Sequence, residues 1–209
     1  MTVRLRKTAE QRKAEIVAAT LKLAFEVGPD GLTTEHIARK VGISQPAVFR
    51  HFPKKEDIWA AVIDWIGGRL AQRWGKVQES HADPLEQLHA ILHTQLELIQ
   101  RTPAIPAILF SRELHVRNRT LRNAVIALME RFHGLLREVL DSGVRAGTFR
   151  ADLDTSDAAF VMIALVQGLA VRWSVSERRF DLVEEGERLL AVTLRGFIAP
   201  RGSEEGHGD

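Results

Sequence analysis

Apolar residues recur along most of this chain at intervals of three and four, and the breaks between such runs fall at glycine and proline. That spacing predicts helices, and no segment alternates as a half-buried strand would. Ile16, Ala19, Leu23 and Val27 mark the buried face of a first helix from about Ala9, which Gly28-Pro29-Asp30-Gly31 ends. A short helix capped by Thr34 follows, with Ile37, Ala38 and Val41 as its apolar side. Gly42 then turns the chain. Ser44 is the expected N-cap of the next helix, Pro46 suits its first turn, and Pro53 stops it near Phe52. A long helix runs from Lys54 to about Glu79, with Gly67-Gly68 as the place for a bend. Asp83-Pro84 opens another, to about Arg101. Pro103 and Pro106 bracket a break and a short segment through His115.

From Asn118 to Ala146 the pattern is amphipathic, with Leu121, Val125, Leu128, Phe132, Leu135 and Val139 on one side. Thr155 is the expected cap of a helix to Val175, and Asp181 opens the last, to about Ile198. The expectation is an all-α protein of about nine helices. Its parts are a basic arm and head over residues 1–53, a larger helical region over 54–199, and a polar, Gly-rich tail over 200–209.

Composition changes this picture mainly through distribution. The chain of 209 residues carries a net charge of only +2. Residues 1–58, however, hold eleven Lys/Arg against seven acids, net +4, which leaves −2 for the remainder. A basic front suggests contact with a polyanion, although a solvated surface would show the same asymmetry. Cysteine is absent, so disulfides, thiolate catalysis and Cys-type zinc sites are excluded. The longest apolar run, Ala158 to Val166, falls short of the ~20 residues of a membrane span. A cytoplasmic protein with no membrane partner is expected. No Gly-x-Ser-x-Gly or phosphate loop is present, and the chain is not expected to be an enzyme.

Candidate chemistry concentrates between Thr33 and Lys55. Two short helices meet there across a tight turn at Gly42, with Ala38 small where they cross and Ile43 and Val48 able to fill the angle. These are the steric requirements of a helix-turn-helix. Gln45, Ala47, Arg50 and His51 are the expected exposed positions of the second helix. Glutamine can pair with adenine through two hydrogen bonds, and alanine or proline can touch a thymine methyl. The hydroxyl of Thr34 and nearby backbone N–H groups can hold a phosphate, and Lys55 adds a cation. Arg4, Arg6, Lys7, Arg12 and Lys13 form either a minor-groove arm or a solubilising terminus.

The stretch Gly31-Leu32-Thr33-Thr34, Ile37-Ala38, Val41-Gly42-Ile43-Ser44-Gln45-Pro46 and Phe49-Arg50-His51-Phe52-Pro53-Lys54-Lys55-Glu56 closely resembles the N-terminal domain of TetR-family transcriptional regulators. The helix layout resembles that family over almost the whole chain. The resemblance implies that Thr34 contacts phosphate, that Gln45, Pro46 and Ala47 contact bases, that Lys55 clamps phosphate and that His51 lies near the backbone. Glu35 stands where the tetracycline repressor has a base-reading arginine, so a different operator is expected. Phe49 stands where many members have tyrosine, which removes a hydroxyl-to-phosphate bond.

The resemblance also implies an effector pocket in the larger region. Trp65, Trp74, His89, His93, Phe110, His115, Met129, Phe132 and His133 are its candidate lining, each of which is equally at home in an ordinary core or surface. His89 and His93, at i and i+4, share a helix face as metal ligands would, but Ala90 stands where the metalloprotease pattern needs glutamate, and no third ligand is evident nearby in the sequence. Neither a metal nor a cofactor is expected. The segment Ala158–Val171 is apolar nearly all round and must be buried on all sides. By resemblance it pairs with its copy in a homodimer, with Phe160, Ile163, Gln167, Val171, Leu190, Leu194 and Phe197 at the interface. The expected function is a ligand-responsive regulator, most simply a repressor that binds a palindromic double-stranded operator and is released by a small molecule. The rival expectations are a DNA-bound scaffold that recruits a protein and, further off, a histidine–metal enzyme.

Overall fold

In the computed structural model, residues 7–199 are described, except for the side chain of Arg117. Arg4 and Arg6 of the basic arm and the 200–209 tail lie outside the described residues. Ten helices are present among the described residues. They are α1 (Ala9–Val27), α2 (Thr34–Val41), α3 (Gln45–His51), α4 (Lys55–Ser80), α5 (Pro84–Arg101), α6 (Ala104–Leu109), α7 (Arg112–Arg117), α8 (Arg119–Arg145), α9 (Thr155–Val175) and α10 (Leu182–Leu194). The extra helix arises because the segment after Pro103 forms two short helices. Phe110 ends α6, and the Ser111 hydroxyl caps α7 by accepting from Leu114 N–H.

Several starts differ by one residue from the sequence expectation. Thr33, not Thr34, is the N-cap of α2, and its hydroxyl accepts from the His36 N–H. Asp154, not Thr155, caps α9; the Thr155 hydroxyl donates instead to Asp141. On α8 it is Leu136, not Leu135, that is fully buried. In each pair two neighbouring residues can fill the role, and the orientation of the helix in the fold chooses between them.

Helices α1 to α3 form the head. Gly42 has φ 73°, a left-handed conformation that side chains strain to adopt. Helix α4 packs on α1, α5 and α8, so one helix belongs to both the head and the body. In the body, α5 and α8 pack on α4 and on each other, α9 packs on α8 and α5, and α10 packs on α5 and α9. One apolar core runs through all of it, from Ile16 to Leu194. Gly143 near the end of α8 lets the buried Phe149 ring close against the helix; a Cβ there would lie 2.1 Å from the ring. An isolated antiparallel bridge joins Phe149 to Ile198, where the Arg150 N–H donates to the Phe197 carbonyl at 2.9 Å. Gln100 of α5 ties down the start of α10. Its oxygen accepts from Leu182 N–H at 2.7 Å and its nitrogen donates to Asp181 at 3.0 Å.

Helix α9 is long and apolar enough to cross a membrane by length and composition alone. In this fold it packs instead against α8 and α10, with Ala159, Met162, Val166 and Trp173 buried.

Candidate nucleic-acid interface and effector cavity

Helix α3 is held by one buried edge. Val48 and Phe52 lie in the core beside Ile37 and Ala38 of α2, which leaves the opposite edge outward. On that edge Gln45, Pro46, Phe49 and Arg50 are exposed, while His51 and Lys55 are half-buried. Ala47 is not on it: at 9% exposure it faces the angle between the helices, contrary to the expected exposed position. The reason is period. Ala47 lies about 100° round the helix from Val48, so it flanks the buried edge, and its single methyl is small enough to be covered there. Thr34 is buried as well, and its hydroxyl accepts from the Gln45 side chain at 2.7 Å. That bond fixes the Gln45 amide at the start of the exposed edge. Glu35 pairs with Arg39 one turn on, at 3.1 Å. Lys54 N–H donates to Asp57, which sets the start of α4 and places Lys55 in its first turn. The sequence pattern concealed the role of Thr33 because a capping box normally carries Glu or Gln three residues later. Here His36 occupies that position.

An enclosed cavity lies in the body between α4, α5, α6, α8 and α9. Its volume is about 50 Å³, and one side opens toward solvent. Of the expected lining residues, Phe110, Met129 and Phe132 are there. Trp65, His89, His93, His115 and His133 are not. Trp65 lies under the Arg69 guanidinium, 5.3 Å from the ring centroid. His133 sits against Phe160, ring centroids 4.2 Å apart, and contacts Ser156. His89 and His93 are exposed and both grip Glu187 of α10, at 2.5 and 2.6 Å. This clasp joins α5 to α10 on the outer surface. Glu187 is remote in sequence, so only the fold reveals it. Among the described residues, no group of three His, Cys, Asp or Glu is arranged to hold a metal ion.

Trp74, another expected candidate, is in the wall too, whereas Gln95 and Gln167 escaped the sequence reading as cavity groups. Trp74 stacks on Phe132 at 5.1 Å with an interplanar angle of 9°. Gln95 enters from α5, and Gln167, expected at a dimer face, lines the cavity with its amide 3.8 Å from the Met129 sulfur. Ile163 also faces the cavity and is buried. Leu190 and Leu194 belong to the protomer's own core, and Phe197 is partly buried against it. These residues therefore do not form the exposed face of this chain. What α9 does expose is Phe160 (58%), Val161, Ala164, Gly168, Val171 and Val175 (79%). From Val161 onward these fall at intervals of three and four, as one stripe. Val192 of α10 is exposed as well.

Head and body meet at three places. Helix α1 packs on α4 and on α6, the helix that supplies Ile105, Pro106 and Leu109 to the cavity wall. Ser111 donates to Asp30 at 2.8 Å. Arg178 lies 4.4 Å above the Phe25 ring, from a turn in which Glu177 and Arg178 have φ 55° and 62°.

The comparisons with known proteins agree with this architecture. Residues 16–62 match the family described as "Bacterial regulatory proteins, tetR family", and residues 84–199 match "BetI-type transcriptional repressor, C-terminal". The chain is 30% identical over 193 residues to the nucleoid occlusion factor SlmA of Edwardsiella ictaluri, covering 90% of this chain and 97% of that one. Among solved structures, a putative transcriptional regulator from Saccharomonospora viridis in complex with choline superposes with a TM-score of 0.80 at 20% identity, covering 92% of this chain and 100% of that one. The regulator FadR from Bacillus subtilis in complex with stearoyl-CoA gives 0.78 at 19% identity, covering 88% and 98%. With both the head and the larger part of the body matched, the protein belongs to the TetR family of DNA-binding transcriptional regulators.

Proposed function

We propose that this protein is a homodimeric repressor that binds a palindromic operator through α3 and is released by a small molecule held in the body. The observation that carries the reading is a shared wall: α4 and α6 each line the enclosed cavity and each pack on α1 of the head. A ligand that prefers one placement of those helices shifts the head by its differential affinity for the two states. The neighbours solved with choline and with stearoyl-CoA support such a use of the fold. Gln45, Pro46, Phe49 and Arg50 present the base-facing edge. His51 and Lys55 face the backbone phosphates in this reading, and the buried Thr34 acts by holding the Gln45 amide. The apolar stripe on α9 supports dimerisation with a second copy. Two heads roughly 34–36 Å apart would then read successive major grooves.

The test uses the purified chain and DNA selected from random sequence. Salt-sensitive binding to a palindrome, two chains per site, is expected. Val171→Asp should give monomers by sedimentation and lose most operator affinity while keeping the helical circular dichroism of the parent. Dimers that survive both this change and Val161→Asp would remove the proposed interface. A second reading is a DNA-bound scaffold that recruits a protein. It is favoured by the similarity to a protein named as a nucleoid occlusion factor, a name that mentions no small molecule. It predicts that no metabolite releases the operator.

A further inference from the structure

We propose that the cavity selects an uncharged, largely apolar ligand carrying one hydroxyl or carboxamide, which hydrogen-bonds to Trp74 and Gln95. This rests on the reading of the cavity as the effector site and adds the chemistry of the effector. None of the wall residues carries an ionisable side chain. An anion or cation placed there would lose its hydration with no counter-charge in reach, a penalty too large for a small apolar contact area to offset. Aromatic rings can replace a carboxylate around a cation. Here, however, the faces of Trp74 and Phe132 are stacked on each other, which leaves no open cage between them.

The wall is nonetheless not wholly satisfied. Trp74 is 6% exposed, and its indole Nε1 is buried with no hydrogen-bond partner. The Gln95 Oε1 is buried without a partner too. Unmet polar groups of this kind are uncommon in folded interiors and point to a missing partner. The two sit in the wall of the same cavity. An indole N–H only donates, so the ligand must accept there. The unpartnered Gln95 atom is the amide oxygen, which only accepts, so the ligand must be able to donate as well. Hydroxyl and carboxamide groups do both, whereas an ether, an ester or a hydrocarbon does not. The small free space calls for a compact molecule, with Phe110, partly exposed beside the cavity, as the side chain able to move for a larger one.

The experiment compares probes that share a six-carbon skeleton: 1-hexanol, hexanamide, hexanoate and hexylammonium. Binding to the full chain is followed by calorimetry and by the indole N–H resonances of its four tryptophans, the Trp74 signal being assigned by its loss in Trp74→Phe. Hexanol and hexanamide should bind and move the Trp74 resonance. Hexanoate and hexylammonium should bind at least about tenfold more weakly. Gln95→Leu should weaken hexanol and hexanamide by about tenfold, the value of one recovered hydrogen bond, and it carries the test if Trp74→Phe does not fold. The proposal is overturned if a charged probe binds as well as hexanol, if hexanol leaves the Trp74 resonance in place, if Gln95→Leu changes nothing, or if no probe binds. Operator release is scored separately. A charged molecule that releases DNA from this cavity keeps the effector reading and removes this one. Hexanol that binds as described without any influence on operator affinity does the reverse.

Discussion

The head and the cavity divide their work differently along the chain. Every residue proposed to face DNA lies within the 22-residue stretch from Thr34 to Lys55, on two short helices and the start of a third. The cavity draws three or four side chains from each of five helices, from Ile66 of α4 to Ala170 of α9. The head therefore presents chemistry that neighbours in sequence impose on one another. The Thr34–Gln45 bond, for instance, closes across a single turn. The cavity presents chemistry that no neighbour imposes. Gln95 and Gln167 share a wall only because α5 and α9 are packed together. Recognition of a long regular polyanion suits a compact edge. Enclosure of a small molecule needs walls from all sides.

The largest effect should come from the cavity wall. Phe132→Ala removes a buried ring stacked on Trp74 and should cost about 3–5 kcal/mol in thermal or denaturant unfolding. At temperatures where the variant stays folded, its operator preference should match the parent. A changed preference would show that the two regions are not separable in this way. Next, Gln45→Ala should lose about 1–3 kcal/mol of discrimination at one base pair per half-site, read by competition among operator variants. Lys55→Ala should instead weaken all sequences alike and reduce the slope of log affinity against log salt by about one. If both variants relaxed specificity in the same manner, the division of the head into base-facing and phosphate-facing positions would be wrong.

A smaller effect is expected where α10 begins. The Glu184 backbone N–H and then the Gln100 amide hold the Asp181 carboxyl below its ordinary range, against a weaker opposing push from burial. A depressed folded value means that the stabilisation is present above the unfolded value, roughly pH 4, and is lost as pH falls through the folded one. Asp181→Ala should therefore cost about 1 kcal/mol near neutral pH as a lost cap. The gap from the parent should narrow below about pH 4. A gap that stays constant down to acid would mean that the charge contributes nothing there.

Much of the fold was legible before the structure. The start of α1, the Asp83-Pro84 opening of α5 and the Asp181 opening of α10 follow from caps and prolines within a few residues. The head was legible for the same reason, save for Ala47 and for Thr33, where a histidine replaced the usual capping partner. The cavity was legible only in Trp74, Phe110, Met129 and Phe132. The histidines that stood out in the sequence went elsewhere, because a polar side chain on an amphipathic helix is drawn to water unless a partner holds it inside. On α9 the expected burial on every side rests on a second copy. The fold covers one face and leaves Phe160, Val161, Val171 and Val175 outward.

By itself, the sequence determined where helices start and stop and which short segment forms the helix-turn-helix, since caps, turns and a 3.6-residue period act over a few residues. Only the tertiary structure decided which face of α9 stays open, that Glu187 joins His89 and His93, and that Trp74 and Gln95 are left without partners in one apolar cavity. Those outcomes depend on how far apart in the chain two packed surfaces lie, and local propensity carries no information about that distance.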